Sequence, residues 1–74
     1  KKMTDATAKR VAQELVQELG YEDIKSMSLF VSDYAAKNPT ELFPEAFMEY
    51  YSGKELRGNK KKIVEAIMKK MYFK

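Results

Sequence analysis

The sequence predicts an all-α fold: a small bundle of three main helices plus one short or irregular helical segment. Three observations predict it. Apolar residues recur at 3.6-residue spacing in three separate stretches. Helix stop and start signals punctuate those stretches, at Gly20, at Asn38-Pro39 and between Gly53 and Gly58. The connections left between them are short, as in a single compact helical unit.

The first helix is predicted over Thr4 to Gly20. Thr4 or Asp5 supplies a side-chain oxygen for the free N–H groups of the first turn. Ala8, Val11, Ala12, Leu15, Val16 and Leu19 share one face, and Lys9, Arg10, Gln13, Gln17 and Glu18 take the solvated side. Gly20 stands where a left-handed residue ends a helix.

The second segment, Tyr21 to Lys37, is less regular. Ile24, Met27, Phe30, Val31 and Tyr34 fit a helical stripe, while Ser26, Ser28 and Val31 also permit extended chain. A short helix near 22–29 is expected, followed by irregular chain through Ser32.

The third segment opens Asn38-Pro39-Thr40-Glu41, a cap, a first-turn proline and a third-position acid. Its helix is expected to reach Ser52, stop at Gly53, and bury Phe43, Ala46, Phe47 and Tyr50. Tyr51 joins these aromatics as a predicted core residue. Pro44 falls inside this segment and costs about 3 kcal/mol in a helix interior. A kink or a loosely formed first turn is therefore expected. Glu41, Glu45 and Glu49 repeat every four residues and form one acidic column. Like charges at this spacing repel, so a metal, a basic partner or the chain's own lysines must offset them.

Lys54 to Asn59 reads as a polar turn. The last helix is expected from Asn59, as cap, to about Tyr72, with Ile63, Val64, Ile67, Met68 and Met71 inward. Lys69, Lys70 and Lys74 near its end suit the helix dipole. Met27, Met48, Met68 and Met71 are read as core filling, or as an adaptable partner surface.

Composition narrows the function classes. The 74 residues suffice for one small domain, 1–74, and 45% of them are hydrophobic. With no cysteine and no histidine, neither a disulfide nor a zinc site of nitrogen and sulfur ligands can form. No calcium-loop spacing accompanies the carboxylates. No apolar run approaches the roughly 18 residues of a membrane span, so no membrane partner is expected. No apolar stretch follows Lys1-Lys2-Met3-Thr4-Asp5, as a signal peptide would require. A start at lysine fits the C-terminal fragment of a larger protein. Residues 1–37 balance to zero charge, Glu41, Glu45 and Glu49 are unopposed locally, and residues 54–74 carry eight basic groups against Glu55 and Glu65.

Residues Ser32-Asp33-Tyr34-Ala35-Ala36-Lys37-Asn38-Pro39-Thr40-Glu41-Leu42-Phe43-Pro44-Glu45-Ala46-Phe47 resemble a known pattern. It is the C-terminal part of the zincin metallopeptidase fold of the anthrax lethal factor type. Related segments occur in phage minor head, or head morphogenesis, proteins and in some toxin domains. The family pattern runs S-x-Y-A-x-x-N-x-x-E-F-F-A-E-A-F, and phage-type chains often close with a lysine-rich amphipathic helix. The resemblance covers most of residues 8–72 and is sharpest over 32–47. It implies that Glu41 matches the third protein ligand of a catalytic zinc. Tyr34 then matches the phenol that reaches the oxyanion of the tetrahedral intermediate. Glu45 matches an acid that orients a ligating group.

The departures are informative. Leu42 stands where the family has an aromatic, and Pro44 where it has a small alanine. The H-E-x-x-H helix that supplies both imidazoles would lie upstream of residue 1. The chain is therefore not expected to act as an enzyme on its own or to hold a cofactor; zinc is expected only in an intact parent protein, which the resemblance makes metallopeptidase-like. Read from the residues alone, Tyr34 is first a core tyrosine on the Phe30–Tyr34 stripe, and the acidic column is first a solvated face.

Expected partners are the upstream zincin half or phage structural proteins, with self-association through faces left open. The location expected of a phage-encoded chain is the cytoplasm or the virion. Two other readings compete. One is a helical protein-protein interaction module of a phage or prophage protein. The other is a basic helical DNA-binding domain using Lys54, Arg57, Lys60, Lys61, Lys62, Lys69 and Lys70. No recognised nucleic-acid motif accompanies those lysines, so nucleic acid is not the expected partner.

Overall fold

A computed structural model of the chain describes residues 5–73. Those residues form five α-helices and one 3₁₀ turn, with no strand among them. The all-α prediction holds, with three longer helices and two short ones.

Helix α1 spans Asp5–Leu19. Thr4 and the Asp5 side chain, the expected caps, lie outside what is described. Gly20 ends the helix with φ +80°, a conformation that costs other residues roughly 1 kcal/mol. The N–H groups of Gly20 and Tyr21 both donate to the Val16 carbonyl, at 3.0 and 2.9 Å.

Helix α2 spans Ile24–Leu29 and is capped by Asp23, whose carboxylate accepts from the Ser26 N–H at 2.7 Å. The irregular stretch expected next is a brief turn through Phe30 and Val31. Ser32 then opens a further helix, α3 (Asp33–Lys37), by accepting from the Ala35 N–H at 3.0 Å. At five residues α3 is too short to show a hydrophobic period, which is why periodicity gave it no element of its own.

The third predicted helix divides. Pro39–Glu41 forms a 3₁₀ turn, and helix α4 follows over Leu42–Tyr50. The Asn38 side chain does not cap; the Asn38 backbone carbonyl instead accepts from the Glu41 N–H at 2.8 Å. Pro44 becomes the third residue of α4. The first four N–H groups of a helix have no acceptor within it. Its missing donor therefore costs little there, and no kink is required.

Helix α5 spans Gly58–Met71. Arg57, not Asn59, takes the position before it, in extended conformation and without a side-chain bond. Gly58, at φ +57°, turns the chain inward.

The core is built from all five helices. Ala8, Val11, Ala12 and Leu15 of α1 meet Met27, Val31, Ala35, Leu42, Phe43, Ala46, Ile63, Val64, Ile67 and Met68. Leu56 packs on this cluster from the loop before α5. Helix α2 lies on α3 and α4 on α5, while α1 touches the 3₁₀ turn, α2 and α5. Lys70 of α5 joins the last helix to the first, reaching Glu18 at 2.8 Å and Glu14 at 3.5 Å.

Three predicted core residues are corrected. Phe47, Tyr50 and Tyr51 are 42, 37 and 59% exposed. Helix α4 has one inward face, which Leu42, Phe43 and Ala46 fill. Its other apolar residues must stand outside. Met48 does so as well, while Met27 and Met68 are buried and Met71 is partly so.

Candidate functional site

Ser32 is the residue on which the motif's geometry turns. Its hydroxyl oxygen caps α3 and its O–H donates to Glu45 Oε1 at 2.9 Å. One side chain thus starts the helix that carries Tyr34 and fastens it to α4. The spacing of serine and second acid in the motif has this direct physical meaning.

Tyr34, on α3, is 54% exposed. The core-tyrosine reading of this residue is corrected, as is the burial of its stripe neighbour Phe30, which is 44% exposed. Val31 and Ala35 take the inward positions instead. Among the described residues the Tyr34 hydroxyl has no hydrogen-bond partner.

The acidic column is not continuous. Glu41 belongs to the 3₁₀ turn, and only Glu45 and Glu49 lie within α4. A column needs an unbroken helix from 41 to 49, and the tighter turn before Leu42 removes it. Each acid has its own surroundings. Glu45 accepts from Ser32, and Glu49 pairs with Lys60 at 2.8 Å with both side chains substantially covered. The chain's own lysine and serine therefore relieve two of the three charges. The Glu41 carboxylate, partly exposed, has neither a hydrogen bond nor an ion pair among the described residues.

Zinc in a catalytic site takes three protein ligands. No group of three or more Asp and Glu residues among those described could hold a metal ion. With no imidazole in the sequence and no cluster of three carboxylates among the described residues, its own residues do not fit a complete zinc site. An open depression of about 730 Å³ lies between α1, α2 and the chain near Pro39, lined by Gln13, Gln17, Asp23 and Ile24 among others. It contains none of the predicted site residues.

No family model, curated protein or solved structure matches the chain. Among the described residues no helix is long and apolar enough to cross a membrane.

Two structural features are not evident from the sequence pattern. One is the Ser32–Glu45 bond, whose signal was the serine at the head of the motif. The other is an aromatic cluster outside the bundle. The Phe47 ring lies 4.8 Å from Tyr51 and 5.1 Å from Tyr72, and Tyr50 lies 5.5 Å from Phe73. Its signal was the uncharged outer positions of the segment 42–51.

Proposed function

We propose that the chain is the C-terminal helical subdomain of a phage-type zincin-like protein, related to minor head proteins, and is not catalytic by itself. The observation that carries this reading is a difference between neighbours. Within the motif, Ser32 and Glu45 are held by a bond inside the chain, whereas exposed Tyr34 and partly exposed Glu41 have no side-chain partner among the described residues. These are the two residues that the resemblance assigns to chemistry.

In that reading an upstream segment would supply the imidazoles, and a zinc ion held there would supply Lewis-acid chemistry. Glu41 presents a carboxylate oxygen as the remaining protein ligand. Tyr34 presents a phenolic proton to developing negative charge. Glu45 is a positioning residue that holds α3 through Ser32. Its second oxygen, unpartnered among the described residues, is available to orient an imidazole.

The polypeptide encoded by the whole reading frame provides the test. An H-E-x-x-H sequence upstream and one zinc per chain by elemental mass spectrometry are expected. Glu41→Gln should lower that occupancy at least tenfold in dialysis against a zinc buffer, and Tyr34→Phe should leave it unchanged. A frame without that sequence, or zinc content indifferent to Glu41→Gln, would overturn the proposal.

A further inference from the structure

Helix α4 is apolar on two sides. Its inward face is Leu42, Phe43 and Ala46. Its outward face is Pro44, Phe47, Met48 and Tyr51, all exposed, with Met48 at 63%. These four stand at i, i+3, i+4 and i+7, the spacing at which one helix lays a seam on another. A helix with two apolar sides normally buries both, yet among the described residues Phe47, Met48 and Tyr51 remain exposed. Ring contacts extend the seam to Tyr72 and, through Tyr50, to Phe73 at the end of α5.

The charges beside the seam indicate what covers it. Within α4 the acids Glu45 and Glu49 are already paired inside the chain. Lys54 follows Tyr51 closely, and Lys61, Lys62 and Lys69 lie on α5, with Lys69 one turn before Tyr72. None of these four lysines has an ion pair among the described residues, and Glu65 is the acid beside them. A second copy docked antiparallel about a twofold axis would set this lysine flank against its own kind. A nucleic-acid strand needs cations along the line it follows, and the seam of α4 carries none.

We infer that the outer face of α4 docks an amphipathic protein helix that carries carboxylates beside its apolar stripe. Phe47, Met48 and Tyr51 form the dry centre of this contact, and Lys61 and Lys69 meet the partner's acids at its rim. The inference does not rest on the zincin reading, since it uses neither Tyr34 nor Glu41.

The experiment is selection of a displayed library of helical peptides, randomised on one face and its flanks, against the intact chain. Enriched peptides should share an apolar i, i+3, i+4, i+7 stripe flanked by Asp or Glu. Their affinity by fluorescence anisotropy should fall at least tenfold for Met48→Ser or Phe47→Ser. It should fall several-fold for the double variant Lys61→Glu/Lys69→Glu. Circular dichroism confirms that each variant folds, and Met48, which is 63% exposed, keeps the test open if Phe47→Ser does not. Absence of enriched helices, or binding indifferent to Met48→Ser, would overturn the inference. So would a micromolar dimer abolished by Met48→Ser, or tight binding of an oligothymidylate probe lost in that variant. The last two outcomes would assign the face to a second copy and to nucleic acid.

Discussion

The Ser32 hydroxyl donates to Glu45 at 2.9 Å while its oxygen accepts from the Ala35 N–H at 3.0 Å. Both bonds are partly buried, so losing the side chain strands a carboxylate oxygen and a helix N–H together. Ser32→Ala should cost about 1–2 kcal/mol in urea unfolding. Ser32→Thr should restore most of it. In a double-mutant cycle, Glu45→Gln should show coupling to Ser32→Ala; strictly additive losses would mean that the bond contributes nothing to holding α3.

The Ser28 side chain is fully buried, and its hydroxyl has no hydrogen-bond partner among the described residues. A buried hydroxyl without a partner carries a desolvation cost of about 1–3 kcal/mol. Ser28→Ala removes that cost and leaves a void of only one oxygen atom. The variant should therefore melt at or above the temperature of the parent chain. A clear drop on calorimetry would mean that the hydroxyl is hydrogen-bonded in solution.

Phe43 and Phe47 are four residues apart on one helix and should respond in opposite ways. Phe43 is fully buried, and Phe43→Ala should cost about 3–5 kcal/mol. Small domains have little more than that in reserve, so this variant should be largely unfolded at 25 °C. Phe47→Ser should cost under about 1 kcal/mol. Far-ultraviolet circular dichroism of the two variants decides between this assignment and one in which Phe47 is part of the core.

Asp23 caps α2, and the N–H and hydroxyl of Ser26 hold its carboxyl below the ordinary 3.8. A depressed folded-state value means that the stabilisation is present above the unfolded value. It is lost as pH falls through the folded one. Asp23→Asn keeps an acceptor but does not titrate. The stability advantage of the wild-type chain over this variant should be constant from pH 7 to about 5. It should vanish progressively below pH 4. An advantage unchanged at pH 2 would contradict the charged cap.

The longer helices were legible because their apolar residues repeat on one face and their ends carry strong punctuation. Gly20 and the inward row from Ile63 to Met68 fall where periodicity puts them. The aromatics of α4 were not legible in the same way. When a short helix is apolar on two sides, spacing identifies the helix but not which side meets the core, so Phe47, Tyr50 and Tyr51 were assigned to the wrong environment. The acidic column failed for a related reason. Its four-residue spacing presumed one continuous helix, and the 3₁₀ turn at Pro39–Glu41 rotates Glu41 out of line. What chemistry the motif can carry was readable residue by residue. Which of its acids the chain itself neutralises depended on Ser32 and Lys60, thirteen and eleven positions away from their partners.

The ammonium of Lys70, shared by Glu14 and Glu18, works as a latch between the outermost pieces of the chain. Such exposed pairing is screened by dissolved ions, unlike the oily contacts around Phe43. Concentrated electrolyte therefore slackens the latch, while the buried rows of α1 and α5 stay packed.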